Sequence, residues 1–323
     1  MKLATLRDGS RDGRLAVVST DLSRTLAVSD IAPTLQAALD RWATVEPLLR
    51  AAAKRVEQGE GDAFEPAQAM APLPRCYQWA DFSAYVTHVE LVRKARGAGM
   101  PDSFWTDPLC YQGAGDCNLG PTDPIPFTDE DDGIDFEGEL AVIVDDVPAG
   151  RTADVAGDHI KLIVLLNDVT LRNRVPAELA KGFGFFQSKP QTAFAPVAVT
   201  PDELGAAWNG ECVDLPIRVT RGNELFGTPN ASRDMVFKFP RLVEHVAATR
   251  PIGAGAIIGS GTISNSDRST GSACIAERRA EETVTEGAPK TAFLGEGERV
   301  RMEMLDADGS SIFGAIDQVV TRR

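Results

Sequence analysis

The stretch Asp135-Phe136-Glu137-Gly138-Glu139-Leu140-Ala141-Val142-Ile143-Val144 constrains this chain more than any other. Its second half is a β-branched apolar run closed by Asp145-Asp146 and Pro148, the composition of a buried strand. A strand that begins near Phe136 puts Glu137 and Glu139 at i and i+2, on one side of the sheet. Two carboxylates side by side against a segment made for burial repel each other and are costly to desolvate, so a fold that keeps them needs compensation. A divalent cation is the simplest form of it. The competing reading is a solvated strand end with both glutamates in water.

A second apolar run, Lys161-Leu162-Ile163-Val164-Leu165-Leu166, ends in Asn167-Asp168 and predicts a strand over Ile160–Asn167. Further strands are expected at Val213–Arg221, Ala256–Ser260, Arg299–Met304 and Ser311–Ile316, with helices at Pro201–Ala207 and Ser232–Ala248. From about residue 137 onward most regular structure is strand, which predicts a β-rich α+β domain. Ahead of it, Asp81–Arg96 reads as a helix with Asp81 as its N-cap. The Pro- and Gly-rich segment 101–127 should be irregular with short strands.

Residues 1–72 read as a small separate unit, with 73–323 as the larger domain. Strands at Leu3–Arg7 and Leu15–Ser19 flank a glycine-bearing turn, and a short strand follows at Thr25–Val28. After Ser29-Asp30 comes a helical pattern carrying Leu35, Leu39, Trp42, Leu48, Leu49 and Val56, which Pro47 should divide or restart. The boundary falls in the Gly-, Pro- and acid-rich segment 59–74.

A net charge of −14 argues against nucleic acid or an acidic membrane as partner, since both reward Lys and Arg. Five scattered cysteines without a Cys-x-x-Cys spacing suggest reduced thiols and a cytoplasmic address, not a disulfide framework or a zinc site. No stretch has the apolar length of a signal peptide core or of a membrane span. The run Gly253–Thr262 lacks the strand–turn–helix context of a dinucleotide loop, and there is no P-loop and no Gly-x-Ser-x-Gly elbow.

Four carboxylates form a candidate set: Asp81, Glu137, Glu139 and Asp168. All-oxygen ligation favours Mg²⁺, Ca²⁺ or Mn²⁺ over zinc. His88 lies seven residues after Asp81, on the same face of the expected helix, and reads either as a base or as a hydrogen-bonded helix histidine. His245 reads as structural, and His159 precedes a buried strand in a polar turn. Lys189, beside the Gly- and Phe-rich segment Lys181–Phe186 that could line a pocket, and Arg172, four residues after Asp168, are either anion stabilisers or solvated charges.

Several motifs occur in a recognisable order. They are Asp81-Phe82 with His88, Tyr111 in Cys-Tyr-Gln-Gly, Phe136-Glu137-Gly138-Glu139-Leu140, Leu166-Asn167-Asp168 with Arg172, Gln187-Ser188-Lys189, and Gly259-Ser260-Gly261-Thr262-Ile263-Ser264. Together they resemble the fumarylacetoacetate hydrolase superfamily over roughly residues 73–323, and the N-terminal unit resembles the SH3-like barrel of fumarylacetoacetase. The resemblance implies a mixed β-roll and a divalent ion held by Asp81, Glu137, Glu139 and Asp168. It further implies His88 as the base that activates water, Arg172 and Lys189 as anion stabilisers, and Tyr111 and Thr262 as substrate contacts. Ser83 stands where the family hydrolase has a tyrosine, and Val175 where it has a glutamine. At the strict spacing of the glutamate that orients the histidine stands Ile275. Glu277, two residues further on, is the expected partner, with Glu90 as the alternative.

The implied activity is Mg²⁺- or Ca²⁺-dependent hydrolysis of a carbon–carbon bond in a small β-diketo acid, within aromatic-compound breakdown, by a homodimer. Its rivals are decarboxylation, hydration or tautomerisation of a 2-oxo acid on the same ion. A further rival, of another class, is a binding protein whose cation is structural.

Overall fold

A computed structural model describes residues 1–323. The two apolar runs form the strands Gly138–Val144 and Ile160–Asp168, paired antiparallel with Leu140 opposite Leu165 and Glu139 opposite Leu166. Every residue of Gly138–Val144 is buried, which requires cover on both faces of the sheet. The two-residue period sorts the side chains. Leu140, Val142, Val144, Ile163 and Leu165 enter one core, and Ala141, Ile143, Leu162, Val164 and Leu166 enter another.

These strands are the middle of an eleven-stranded sheet. On one side follow Ile257–Gly259, Trp79–Phe82 and Cys110–Gln112; on the other, Ala198–Val199, Lys2–Leu6, Arg14–Val18, Arg24–Ala27 and Asp62–Ala63, while Thr192–Phe194 pairs with the end of Ile160–Asp168. Lys2 pairs with Val199 and Leu3 with Ala198, so the N-terminal strands extend the large sheet instead of closing into a free-standing SH3-like barrel. Their core is shared as well. Leu3, Leu15 and Val17, with Leu35, Leu39, Trp42 and Leu49, belong to the same apolar cluster as Ala141, Ile143 and Val164.

Helices Leu35–Leu39 and Trp42–Glu57 cover this face. The break between them falls at Asp40-Arg41, and Pro47 does not divide the second helix. Pro47 is exposed, so water can meet the carbonyl that its missing N–H leaves free. The other face is covered by a five-stranded sheet in the order Glu224–Gly227, Ile217–Arg221, Arg299–Met304, Ile316–Arg322 and Ile125–Phe127.

Several expectations are corrected. The strand expected over Ser311–Ile316 starts only at Ile316, because the chain bends at Ile312-Phe313 and Gly314 takes a left-handed φ of 72°. The helix expected over Ser232–Ala248 is confined to Phe239–Val246, since Pro240 is tolerated only in a first turn. Pro201–Ala207 forms 3₁₀ turns kinked at Gly205. Asp81 is not a helix cap. It lies within Trp79–Phe82, parallel to Ile257–Gly259 and antiparallel to Cys110–Gln112, and the helix begins only at Val86. The helical spacing from Asp81 to His88 therefore does not apply. The short helices Ala153–Ala156 and Val175–Leu179 and the longer Ile275–Glu286 have no counterpart in the expectations; the last packs against Val86–Ala95. No helix is long and apolar enough to cross a membrane.

Candidate active site

The sheet delivers three carboxylates to one point. Asp81, Glu139 and Asp168 are buried and bring their oxygens within 4.8 Å of one another. Gly259 makes room for this, because a methyl group there would overlap Asp81 Oδ1 and the Trp79 ring. Asp168 is fully engaged: Oδ1 accepts from Thr192 at 2.7 Å, and Oδ2 accepts from Tyr111 at 2.5 Å and Lys189 at 2.6 Å. Neither oxygen of Glu139 has a hydrogen-bond partner. Burial, then the neighbouring Asp81 and Asp168, push the Glu139 carboxyl well above its ordinary range, and burial with Asp168 pushes Asp81 up to about 8. Buried unpartnered carboxylates cost several kcal/mol unless a counter-charge meets them.

Glu137 does not join this trio. It precedes the strand proper, and its N–H goes to Asn167 Oδ1 at 3.0 Å. One carboxylate oxygen accepts from Arg172 at 2.5 Å and the other from the Lys189 ammonium. Burial alone would raise its pKa, but Arg172 and Lys189 hold it well below the usual carboxylate range. Arg172 also binds Asp135 Oδ2 at 2.7 Å, and Asp135 in turn accepts the N–H groups of Ile275 and Ala276.

His88, on the helix Val86–Ala95, turns Nδ1 toward Glu277 Oε2 at 3.9 Å. Glu277 is completely buried, and its other oxygen accepts from the Ser264 hydroxyl and from Arg268 at 2.5 Å. Burial works against its ionisation, yet His88, Ser264 and Arg268 hold its pKa below normal. Glu90 is exposed and Ile275 is an apolar core residue, so Glu277 is the acid that faces the imidazole. His245 packs edge-on against Phe82, and His159 pairs with Asp145 at 2.7 Å.

Tyr111 is tied to Asp168 and packs edge-on against Phe185. Phe183 and Phe186 are exposed, so of the Lys181–Phe186 phenylalanines only Phe185 packs against Tyr111. Thr262 is buried in the loop after Ile257–Gly259, Ser83 is half-buried just past Phe82, and Val175 is buried at the start of Val175–Leu179. A groove of about 420 Å³, lined by Gln112, Gly113, Arg174, Gln187 and Arg323, opens onto Lys189.

Four supporting residues escaped sequence reasoning. Ser264 and Arg268 hold Glu277, Thr192 holds Asp168, and Glu178 holds the segment before Lys189. The Glu178 carboxylate accepts the N–H groups of Phe186, Gln187 and Ser188 and the Ser188 hydroxyl. Ser264 was visible inside the Gly259–Ser264 motif; the others carried no signal at all.

Six buried carboxylates (Asp81, Asp135, Glu137, Glu139, Asp168, Glu277) thus face three cations, Arg172, Lys189 and Arg268. The oxygen-only trio and the bare Glu139 oxygens fit a hard divalent ion.

Comparisons with known proteins show which family the chain belongs to. An uncharacterised protein of Pyrococcus abyssi is 29% identical over 147 residues, which is 45% of this chain and 62% of that protein. The chain therefore spans less than two thirds of that relative's length. An oxaloacetate tautomerase of Bacillus subtilis is 29% identical over 129 residues, 40% of each chain. Among solved structures, maleylpyruvate hydrolase from Sphingobium sp. SYK-6, in complex with manganese(II) and pyruvate, superposes with a TM-score of 0.67 at 18% identity, covering 100% of this chain and 99% of that one. A 5-carboxymethyl-2-hydroxymuconate delta-isomerase from Mycobacterium smegmatis gives 0.59 at 15%, again over 100% and 99%. Residues 1–75 match the fumarylacetoacetase N-terminal domain 2 and residues 78–321 the fumarylacetoacetate hydrolase C-terminal domain. With three quarters of its length matched by that second family model, this chain belongs to the fumarylacetoacetate hydrolase family.

Proposed function

We propose that the protein is a divalent-metal-dependent hydrolase of a carbon–carbon bond in a small β-diketo acid, of the fumarylacetoacetate or acylpyruvate type. The observation that carries this reading is the His88–Glu277 pair beside the carboxylate trio. Asp81, Glu139 and Asp168 would hold Mg²⁺, Ca²⁺ or Mn²⁺, with Glu137 at the border. The bound ion supplies Lewis-acid polarisation to the oxygens of an oxo acid.

Neutral His88 takes a proton from water at the ring nitrogen remote from Glu277, whose carboxylate steadies the imidazolium that forms. Lys189 and Arg172 offset charge that builds on the substrate as water adds and the carbon–carbon bond breaks. Thr262, Tyr111 and Ser83 are assigned to substrate contact, and the groove at Lys189 to the remainder of the molecule.

A second reading is tautomerisation of a 2-oxo acid, favoured by the likeness to the Bacillus tautomerase. The same base would then move a proton between carbon and oxygen with no water consumed. Decarboxylation, which needs no activated water, and hydration would use the same ion. The Mg²⁺-loaded protein should be assayed on acylpyruvates, fumarylpyruvate, fumarylacetoacetate and oxaloacetate. Loss of enol absorbance with release of two acids supports hydrolysis. Enol–keto exchange with neither cleavage nor CO₂ release would replace it by tautomerisation.

A further inference from the structure

Beside the oxygen trio lies a donor set of different chemistry. His88, Cys274 and Glu277 each offer a ligand atom, and these atoms lie within 4.8 Å of one another. Cys274 and Glu277 are completely buried. His88 Nδ1 and Glu277 Oε2 are both shielded from solvent and both lack a hydrogen-bond partner. At 3.9 Å they are too far apart to satisfy each other directly. That gap is close to the roughly 3.4 Å between two ligands of one tetrahedral ion with ~2 Å bonds.

The sulfur is set up for the same role. Cys274 is the N-cap of the 12-residue helix Ile275–Glu286, and its Sγ accepts the Glu277 N–H at 3.3 Å. A helix N-terminus favours a thiolate, and an N–H donor on sulfur is the kind of outer contact that fixes metal-bound thiolates. Without an ion, burial and then Asp135 push the thiol well up, so it keeps its proton until a cation displaces it. The sequence hid this set because His88 lies far along the chain from Cys274 and Glu277 and there is no Cys-x-x-Cys spacing.

We propose that His88, Cys274 and Glu277 form a second cation site, which takes one thiophilic divalent ion such as Zn²⁺ and leaves a fourth position open. On binding, the Cys274 S–H bond breaks and its proton goes to solvent. Lone pairs of Sγ, Nδ1 and Oε2 reach the ion, and the single ring proton, carried on Nδ1 in the base form, moves through solvent to Nε2. The two sites then sort ions by chemistry, the hard ones to oxygen and the soft ones to nitrogen and sulfur. One consequence rests on the proposed role of His88: with Nε2 protonated the ring cannot act as a base, so zinc switches the enzyme off.

The test uses the full chain saturated with Mg²⁺ and titrated with Co²⁺ and Zn²⁺. Co²⁺ should give a near-ultraviolet thiolate charge-transfer band that saturates at one equivalent and is absent from Cys274→Ser. Serine keeps the helix cap, so zinc-free turnover of that variant should match the parent. Zn²⁺ should inhibit the parent, and Cys274→Ser should require at least about tenfold more, the scale on which even outer-shell changes act. No thiolate band, or equal zinc sensitivity in the two proteins, overturns the site. A band without inhibition keeps the site and overturns His88 as the base.

Discussion

Glu137 and Glu139 are separated by one glycine, yet the first meets two cations and the second meets none. Around Glu137 the protein has supplied its own counter-charge through Arg172 and Lys189, and the carboxyl stays ionised. Around Glu139, with Asp81 and Asp168, charge accumulates and the one cation in contact is Lys189, on Asp168. One bay is complete as folded; the other asks for something from solution.

That contrast can be broken by chelation first. EDTA should abolish turnover, and Mg²⁺, Mn²⁺ or Ca²⁺ should restore it; full activity in a metal-free sample would remove the proposed mechanism. Glu139→Gln should likewise abolish Mg²⁺ uptake in calorimetry, while leaving the metal-free protein as stable as before or more so, because a buried acid without a partner disappears. His88→Ala should lower kcat by about 10²–10⁴-fold with ion binding unchanged. A loss below tenfold would move the assignment toward a reaction that needs no activated water.

Glu137→Gln should act in the opposite sense to Glu139→Gln. It takes one of two carboxylate partners from Arg172, which keeps Asp135, and from Lys189, which keeps Asp168, so it should cost up to about 3 kcal/mol, read as a lower denaturant midpoint. Equal effects at the two positions would erase the distinction between the bays.

The smallest effect belongs to Glu178→Gln, at about 1–3 kcal/mol for weakened charged hydrogen bonds. Burial opposes its ionisation, but the Ser188 hydroxyl and three backbone N–H groups hold Glu178 down to about 2, against an ordinary 4.5. A folded-state pKa below the unfolded one gives stability that is present above about 4.5 and lost as pH falls toward about 2. The stability difference between the parent and Glu178→Gln should therefore shrink across that window. A difference independent of pH would show that Glu178 acts through shape alone.

The middle of the sheet was legible because Leu140–Val144 and Lys161–Leu166 are nearly unbroken apolar runs, which only a strand buried on both faces uses at that length. Their terminal acids came with them. Asp81 was placed near the right partners on the wrong element, since Phe82, Tyr85, His88 and Val89 mimic a helical stripe while pairing to Cys110–Gln112 and Ile257–Gly259 imposes a strand. Long-range pairing overrides local pattern, and no window around Asp81 contains that information. Glu277 was found by resemblance alone. Its helix is rich in Glu and Arg and begins on a cysteine cap, so neither an apolar stripe nor an ordinary capping residue marks it. The divergence of Glu137 from Glu139 was invisible for a related reason, because alternation holds only inside a ladder and Glu137 lies just outside one.

The pairing of Lys2 and Leu3 with Val199 and Ala198 bears on how this protein can be taken apart. A fragment cut at the 72/73 boundary would leave Ala198–Val199 as a raw, unsatisfied margin and strip the apolar lid from Ala141, Ile143 and Val164. Such a fragment should come out of the cell as aggregate, with strands of separate copies mated where the amino-terminal hairpin once lay.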